Sequence, residues 1–197
     1  MKNKFYIGIY DSGLGGLTVL KEFQRSMPNY NYIYYGDTAH VPYGNKSKES
    51  ILEYSLAAIN FFEKKKVCLI VIACNTVSSL VFNQLQAKTH IQLVNVIQPF
   101  LTYFKSVLQK APNITVGVIG TTNTINSKAY EKLLKKINKN ICVYSQSCPM
   151  FVPIIEFGFV NHLIADILIK EYLKTFLDYK IEYLILACTH YPILKNK

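Results

Sequence analysis

Short apolar runs rich in Ile, Val and Tyr alternate along this chain with longer segments whose apolar residues recur every three or four positions. The short runs predict strands at 5–10, 30–35, 67–73, 92–96, 115–120, 141–146 and 183–187. The longer segments predict helices at 15–26, 47–64, 76–88, 99–110, 127–139 and 160–177. The second of these shows the logic: Ser47 supplies a cap, and Ile51, Leu52, Leu56, Ile59 and Phe62 form one apolar stripe. Near-continuous apolar strands separated by helices are expected to form a mostly parallel sheet with both faces covered.

The pattern repeats within the chain. IGIYDSG near the start resembles VGVIGTT in the middle, and VIACNT resembles LILACTH. Gly8 to Gly117 is 117 − 8 = 109 residues, and Cys74 to Cys188 is 188 − 74 = 114. These nearly equal offsets predict an α/β fold of two similar doubly wound domains with mostly parallel sheets, residues 1–97 and 98–197; halves that face each other would place the active site in the cleft between them.

Composition adds few constraints. The 197 residues are 50% apolar, ample for a packed core, and no run approaches the length of a membrane span. A basic start without an apolar stretch behind it predicts a cytoplasmic protein. Five cysteines at scattered positions, an odd number, do not make a disulfide framework, so reduced thiols are expected. The net charge of +10 raises a nucleic-acid role, but only Arg25 among the 22 basic residues is Arg, and the lysines are dispersed, with those at 64–66 and 135–139 where helices should end. No nucleic-acid or membrane partner is expected.

In an open α/β sheet, ligands bind beyond the carboxyl ends of the strands. DSGLGG, GDTAHVPYG, ACNT, GTTNT and ACTH all fall there. DSGLGG matches no phosphate-binding fingerprint and reads as a tight turn that places Asp11 and Ser12 at a strand end. Cys68 and Cys142, inside predicted strands, are expected to be structural, and His90 and His162, in helix or loop, to be simple surface residues. Cys74 and Cys188 instead leave apolar strands directly into Asn75-Thr76 and Thr189-His190, where helix N–H groups are expected to lower a thiol pKa.

Two thiols in matching contexts suit racemisation, in which one removes a proton from a carbon and the other returns one to the opposite face. Two other uses of these residues stay open. A hydrolase would pair Cys188 with His40 or His190 and leave Cys74 without a role, and a zinc site from Cys74, Cys188 and His190 would need a fourth ligand.

IYDSGLGGLTVL, YYGDTAHVPYGNKS, VIACNTVSS, VGVIGTTNTINSKAY, CPMFVPIIEFG and LILACTHYPIL, in that order, resemble the glutamate racemases, cofactor-independent enzymes that supply D-glutamate for bacterial peptidoglycan. Aspartate racemases share the two-cysteine design, but DSGLGG and VPYG look like the glutamate enzymes. The resemblance implies that Cys74 and Cys188 are the acid/base pair, assisted by Asp11 and His190, with Glu156 a site-lining carboxylate. It implies substrate contacts from Asp11, Ser12, Tyr43, Gly44, Asn75, Thr76, Thr121, Thr189 and His190, no metal and no cofactor. The expected partners are glutamate and at most a second copy in a homodimer. Two departures stand out: His40 replaces the usual Arg, and family members continue several dozen residues past CTHYP, so the first domain is expected to lack a return segment. A shortened remnant that only binds ligand is the rival expectation.

Overall fold

The computed structural model describes residues 5–110 and 114–197. It divides into two units, Met1–Val96 and Ile97–Lys197.

In the first unit the chain runs β1 (Tyr6–Asp11), α1 (Leu17–Ser26), β2 (Asn31–Gly36), α2 (Lys48–Lys64), β3 (Leu69–Ile72), α3 (Asn75–Leu80), α4 (Phe82–Gln86) and β4 (Gln92–Asn95). The strands pair in the order β2-β1-β3-β4, all parallel. Alternation along β1 sorts its side chains onto two faces. Ile7 and Ile9 pack with Val71 and Ala73 beneath the partly buried Val19, Leu20 and Phe23 of α1. Tyr10 joins the larger cluster on the other face, with Ile51, Ile59 and Phe62 of α2, Ile70 and Ile72 of β3 and Leu85 of α4. Gly8 is needed on that face: a Cβ there would lie 2.7 Å from Phe62 Cδ1, so the aromatic ring rests on bare backbone.

The Ser47 cap is present, its Oγ accepting the Ser50 N–H at 3.1 Å. The predicted helix 76–88 is instead two helices, because Val81 takes φ −126° and ψ 1°. Its N–H still bonds Val77 O and its carbonyl accepts from Leu85, so the interruption keeps Val77, Val81 and Leu85 all buried.

The second unit contains α5 (Ile97–Lys110), β5 (Thr115–Gly120), α6 (Thr122–Asn126), α7 (Ala129–Ile137), β6 (Cys142–Ser147), α8 (Phe151–Glu156), α9 (Leu163–Leu173) and β7 (Tyr183–Ala187). Its strands pair β6-β5-β7, again parallel. Lys128, at φ 54°, separates α6, which the periodicity does not predict, from α7, which occupies most of the predicted helix 127–139. The periodicity does not predict α8; its Pro153 sits in the first turn, where a missing N–H costs no helical hydrogen bond. His162 is exposed, as expected, and its Nδ1 also accepts the Ile164 N–H at 3.3 Å and caps α9.

Two cysteine expectations are corrected. Cys68 precedes β3 and Cys142 opens β6, and both are exposed. They lie where the strands begin, a sheet edge that solvent reaches, rather than within the buried span.

Register explains the unequal sequence offsets. Gly8 pairs with Ile70 and Gly117 pairs with Leu184. Cys74 lies 74 − 70 = 4 residues past the first partner and Cys188 lies 188 − 184 = 4 past the second. The five extra residues therefore fall in the connection between paired strands, (184 − 117) − (70 − 8) = 5, and the two thiols occupy equivalent positions in their sheets.

Gly8→Ala is expected to lower the unfolding free energy by about 1–3 kcal/mol through overpacking against Phe62. The loss should shrink in a Phe62→Leu background, as read from denaturant midpoints.

Candidate functional site

In the first unit the turn after β1 is organised by Asp11. Its Oδ2 accepts the N–H groups of Gly13 and Gly16, each at 3.1 Å, while Tyr34 donates its hydroxyl to Gly13 O at 2.7 Å. A Cβ at Gly16 would stand 2.5 Å from Asp11 Cβ, so DSGLGG is a turn folded tightly around a carboxylate. Asp11 is wholly buried, and Ser12, Asn75 and Thr76 are buried around it.

Cys74 is the N-cap residue of α3, and its thiol donates to Ser12 Oγ at 3.4 Å. The helix N–H groups do not lower its pKa overall. Burial, and secondarily the negative Asp11, push the thiol up to about 11 against the Ser12 hydroxyl and the Val77 and Thr76 N–H groups. The expected depression is therefore corrected: donors that favour a thiolate are present, but desolvation and a neighbouring carboxylate outweigh them.

Tyr43 and Gly44 are buried in a 3₁₀ turn, Tyr43–Asn45. Tyr43 donates its hydroxyl to Asp37 Oδ2 at 2.5 Å, and His40 Nδ1 lies 2.8 Å from Asp37 Oδ1. Asp37 is buried directly after β2 and is the member of this group that sequence reasoning missed. The strand-end rule that selects Asp11 selects Asp37 equally well.

The second unit builds a different surrounding for its thiol. Cys188, Thr189 and His190 follow β7, and all three are buried. His190 Nε2 lies 2.5 Å from Glu156 Oε1 at the end of α8, while Nδ1 lies 3.9 Å from Cys188 Sγ and 3.4 Å from Thr189 Oγ1. A carboxylate can only accept, so Nε2 carries the proton and Nδ1 is turned toward the thiol. Thr121 follows Gly120, the register partner of Ala187, and caps α6 through Oγ1.

The structure thus gathers Asp11, Ser12, Cys74, Asn75 and Thr76 at one strand edge, with Tyr43 tied to it through a 3.0 Å contact to Tyr10 of β1. It gathers Thr121, Glu156, Cys188, Thr189 and His190 at the matching edge of the second unit. Arg25 belongs to neither, being exposed in the last turn of α1 and paired with Glu22 at 2.8 Å. Among the described residues no group of three or more His, Cys, Asp or Glu side chains is arranged to hold a metal ion, and no helix is long and apolar enough to cross a membrane. A cavity of about 300 Å³ in the second unit, lined by Phe151, Leu173, Leu186 and Tyr191 among others, includes none of the predicted site residues.

A family model for Asp/Glu/hydantoin racemases matches residues 17–197. A glutamate racemase from Sulfurihydrogenibium sp. is 44% identical over 191 residues, 96% of this chain and 72% of its own length. That of Aquifex aeolicus is also 44% identical, over 97% of this chain and 73% of its own. The crystal structure of the Francisella tularensis glutamate racemase in complex with D-glutamate matches with a TM-score of 0.86 at 43% identity, covering 98% of this chain and 71% of that one.

The Cys74 environment makes a pH prediction. The folded thiol titrates near 11 and its reference value is 9.0, so the folded state holds the proton to higher pH than the unfolded chain. Its contribution is intact below pH 9 and is lost as pH rises toward 11, by about 2–3 kcal/mol. Urea midpoints from pH 8 to 11, compared with Cys74→Ser to isolate this group, should show that loss, and Asp11→Asn should reduce it.

Proposed function

Because the chain belongs to the Asp/Glu/hydantoin racemase family, we propose that it interconverts L- and D-glutamate, the substrate named for its relatives, by proton transfer at Cα through Cys74 and Cys188. The observation that carries this reading is the equivalent register of the two thiols, each four residues past the partner of a central-strand glycine. Duplicated placement of one nucleophile has a direct use when a single carbon must be approached by the same chemistry twice.

In this reaction one cysteine, as thiolate, takes the Cα proton, and the electron pair of the broken C–H bond stays on carbon. The other cysteine gives its S–H proton to the opposite face and becomes the thiolate. Each turnover exchanges the protonation states, so the reverse reaction starts from the product enzyme. Ionisation of Cys74 is opposed by burial and by Asp11. A substrate ammonium group beside Asp11 offsets the second of these, which couples binding to thiol activation. On the other side the His190 imidazole, held by Glu156, accepts or returns the Cys188 proton.

Glutamate brings two carboxylates, and the one Arg of the chain is bound to Glu22 on the surface. The carboxylates are therefore held by Ser12, Asn75, Thr76, Thr121 and Thr189 and by the backbone at Tyr43 and Gly44, all buried dipoles that gain strength out of water. The chemistry calls for no cofactor. In a cell the product D-glutamate would serve peptidoglycan synthesis.

The test follows D-glutamate in D2O. Loss of optical rotation with deuterium entering at Cα is expected, and Cys74→Ser and Cys188→Ser should each lower kcat by about 10²–10⁴-fold. Full activity in either variant would reject the two-thiol mechanism. Turnover of aspartate in preference to glutamate would reassign the substrate, and a folded chain that binds glutamate without turnover would be a binding protein and not an enzyme. The Cys188–His190–Glu156 alignment also suits a thiol hydrolase, which predicts that Cys74→Ser stays active.

A further inference from the structure

Asp37 lies at the centre of a continuous chain of polar side chains. Its own N–H bonds Asp11 O at 3.1 Å, which ties the end of β2 to the end of β1. His40 Nδ1 lies 2.8 and 2.9 Å from the two carboxylate oxygens, and the His40 ring stacks on Tyr54 with centroids 4.0 Å apart. Tyr43 donates to Asp37 Oδ2 at 2.5 Å, and the Tyr10 hydroxyl lies 3.0 Å from that of Tyr43 and 3.1 Å from Ser55 Oγ. Ser55 in turn donates to Ile51 O at 2.6 Å. Asp37, Tyr43, Tyr10 and Ser55 are all buried.

Counting protons orients this chain. A carboxylate accepts only, so the Tyr43 proton is directed at Asp37. Ser55 uses its proton on the Ile51 carbonyl, and Tyr10 is left with one proton between two acceptors. No alternative arrangement satisfies the carboxylate equally, so the network has one direction. The Tyr43 hydroxyl is consequently committed to Asp37, which leaves the backbone at Tyr43 and Gly44 to meet a ligand.

Resting on the racemase reading above, we propose that Asp37 is a positioning residue for substrate binding: by holding the Tyr43 hydroxyl it fixes the Tyr43–Asn45 turn whose backbone meets a substrate carboxylate. His40 closes the solvent side of the carboxylate, and the Tyr10–Ser55 arm fixes the other end to α2. Asp37 itself meets neither substrate nor thiol. Its effect therefore belongs to binding and not to proton transfer.

The experiment measures racemisation and glutamate binding for the full chain, Asp37→Asn, Tyr43→Phe and the double variant. Each single variant is expected to raise KM for D-glutamate about tenfold while kcat changes less than about threefold, the scale of one lost charge-assisted hydrogen bond. The double variant should be no worse than the weaker single, because both act through one bond. Amide hydrogen exchange at 43–46 should speed up in Asp37→Asn, a change that global destabilisation would spread over the whole unit. An unchanged KM, a loss confined to kcat, or losses that multiply in the double variant would overturn the assignment while leaving the racemase reading intact. A full chain that neither turns over nor binds glutamate would remove the racemase reading, and the positioning role with it.

Discussion

In a parallel ladder every strand runs the same way, so every turn that follows a strand emerges at one edge of the sheet. That constraint organises both units of this chain. The buried apolar strands fix the register through their packing, and the polar residues just past them have no choice of edge. Asp11, Asp37 and Cys74 reach one such edge in the first unit, and Thr121 and Cys188 reach the equivalent edge in the second. The close approach of α2 over Gly8 keeps the central strand seated, so the edge is built on the most buried part of its sheet.

The shared register does not make the two thiols chemically alike. Asp11 lies 11 − 8 = 3 residues past Gly8, and the residue 3 past Gly117 is Gly120, which has no side chain to offer. Carboxylate charge therefore acts directly on Cys74, whereas in the second unit it arrives from α8 through an imidazole, Glu156 to His190 to Cys188. A direct carboxylate raises the cost of a thiolate. An imidazole between carboxylate and thiol can instead take the proton. In the proposed reaction the same position is thus reused with different partners, which suits two groups that start each turnover in opposite protonation states.

Much of this was legible in the sequence, for particular reasons. The central strands β1, β3 and β5 stand out because parallel strands buried on both faces must be apolar over nearly their whole length, while β2 and β6, each at the end of its sheet, are less buried. The helical stripe from Ile51 to Phe62 and its Ser47 cap are local features, and they appear as read. The break within the helix predicted at 76–88 was not legible: Val81 carries no breaker signal, and only the burial of Val77, Val81 and Leu85 together reveals why the backbone turns there. The roles assigned to Cys68 and Cys142 failed because an apolar neighbourhood in sequence does not say which end of a strand meets solvent.

Sequence by itself determined the α/β class, the internal repeat and the set of polar residues that follow strands, because each depends on residue type and short spacing. Tertiary structure decided what those residues do to one another. The equivalence of Cys74 and Cys188 is hidden by a five-residue difference in their connections and emerges only from strand pairing. The rise in the Cys74 pKa comes from burial that no local pattern measures, and the Asp37 network joins residues from β1, the connection after β2 and α2 that lie up to 45 positions apart. Desolvation and hydrogen-bond direction are properties of surroundings, and surroundings exist only once the chain has folded.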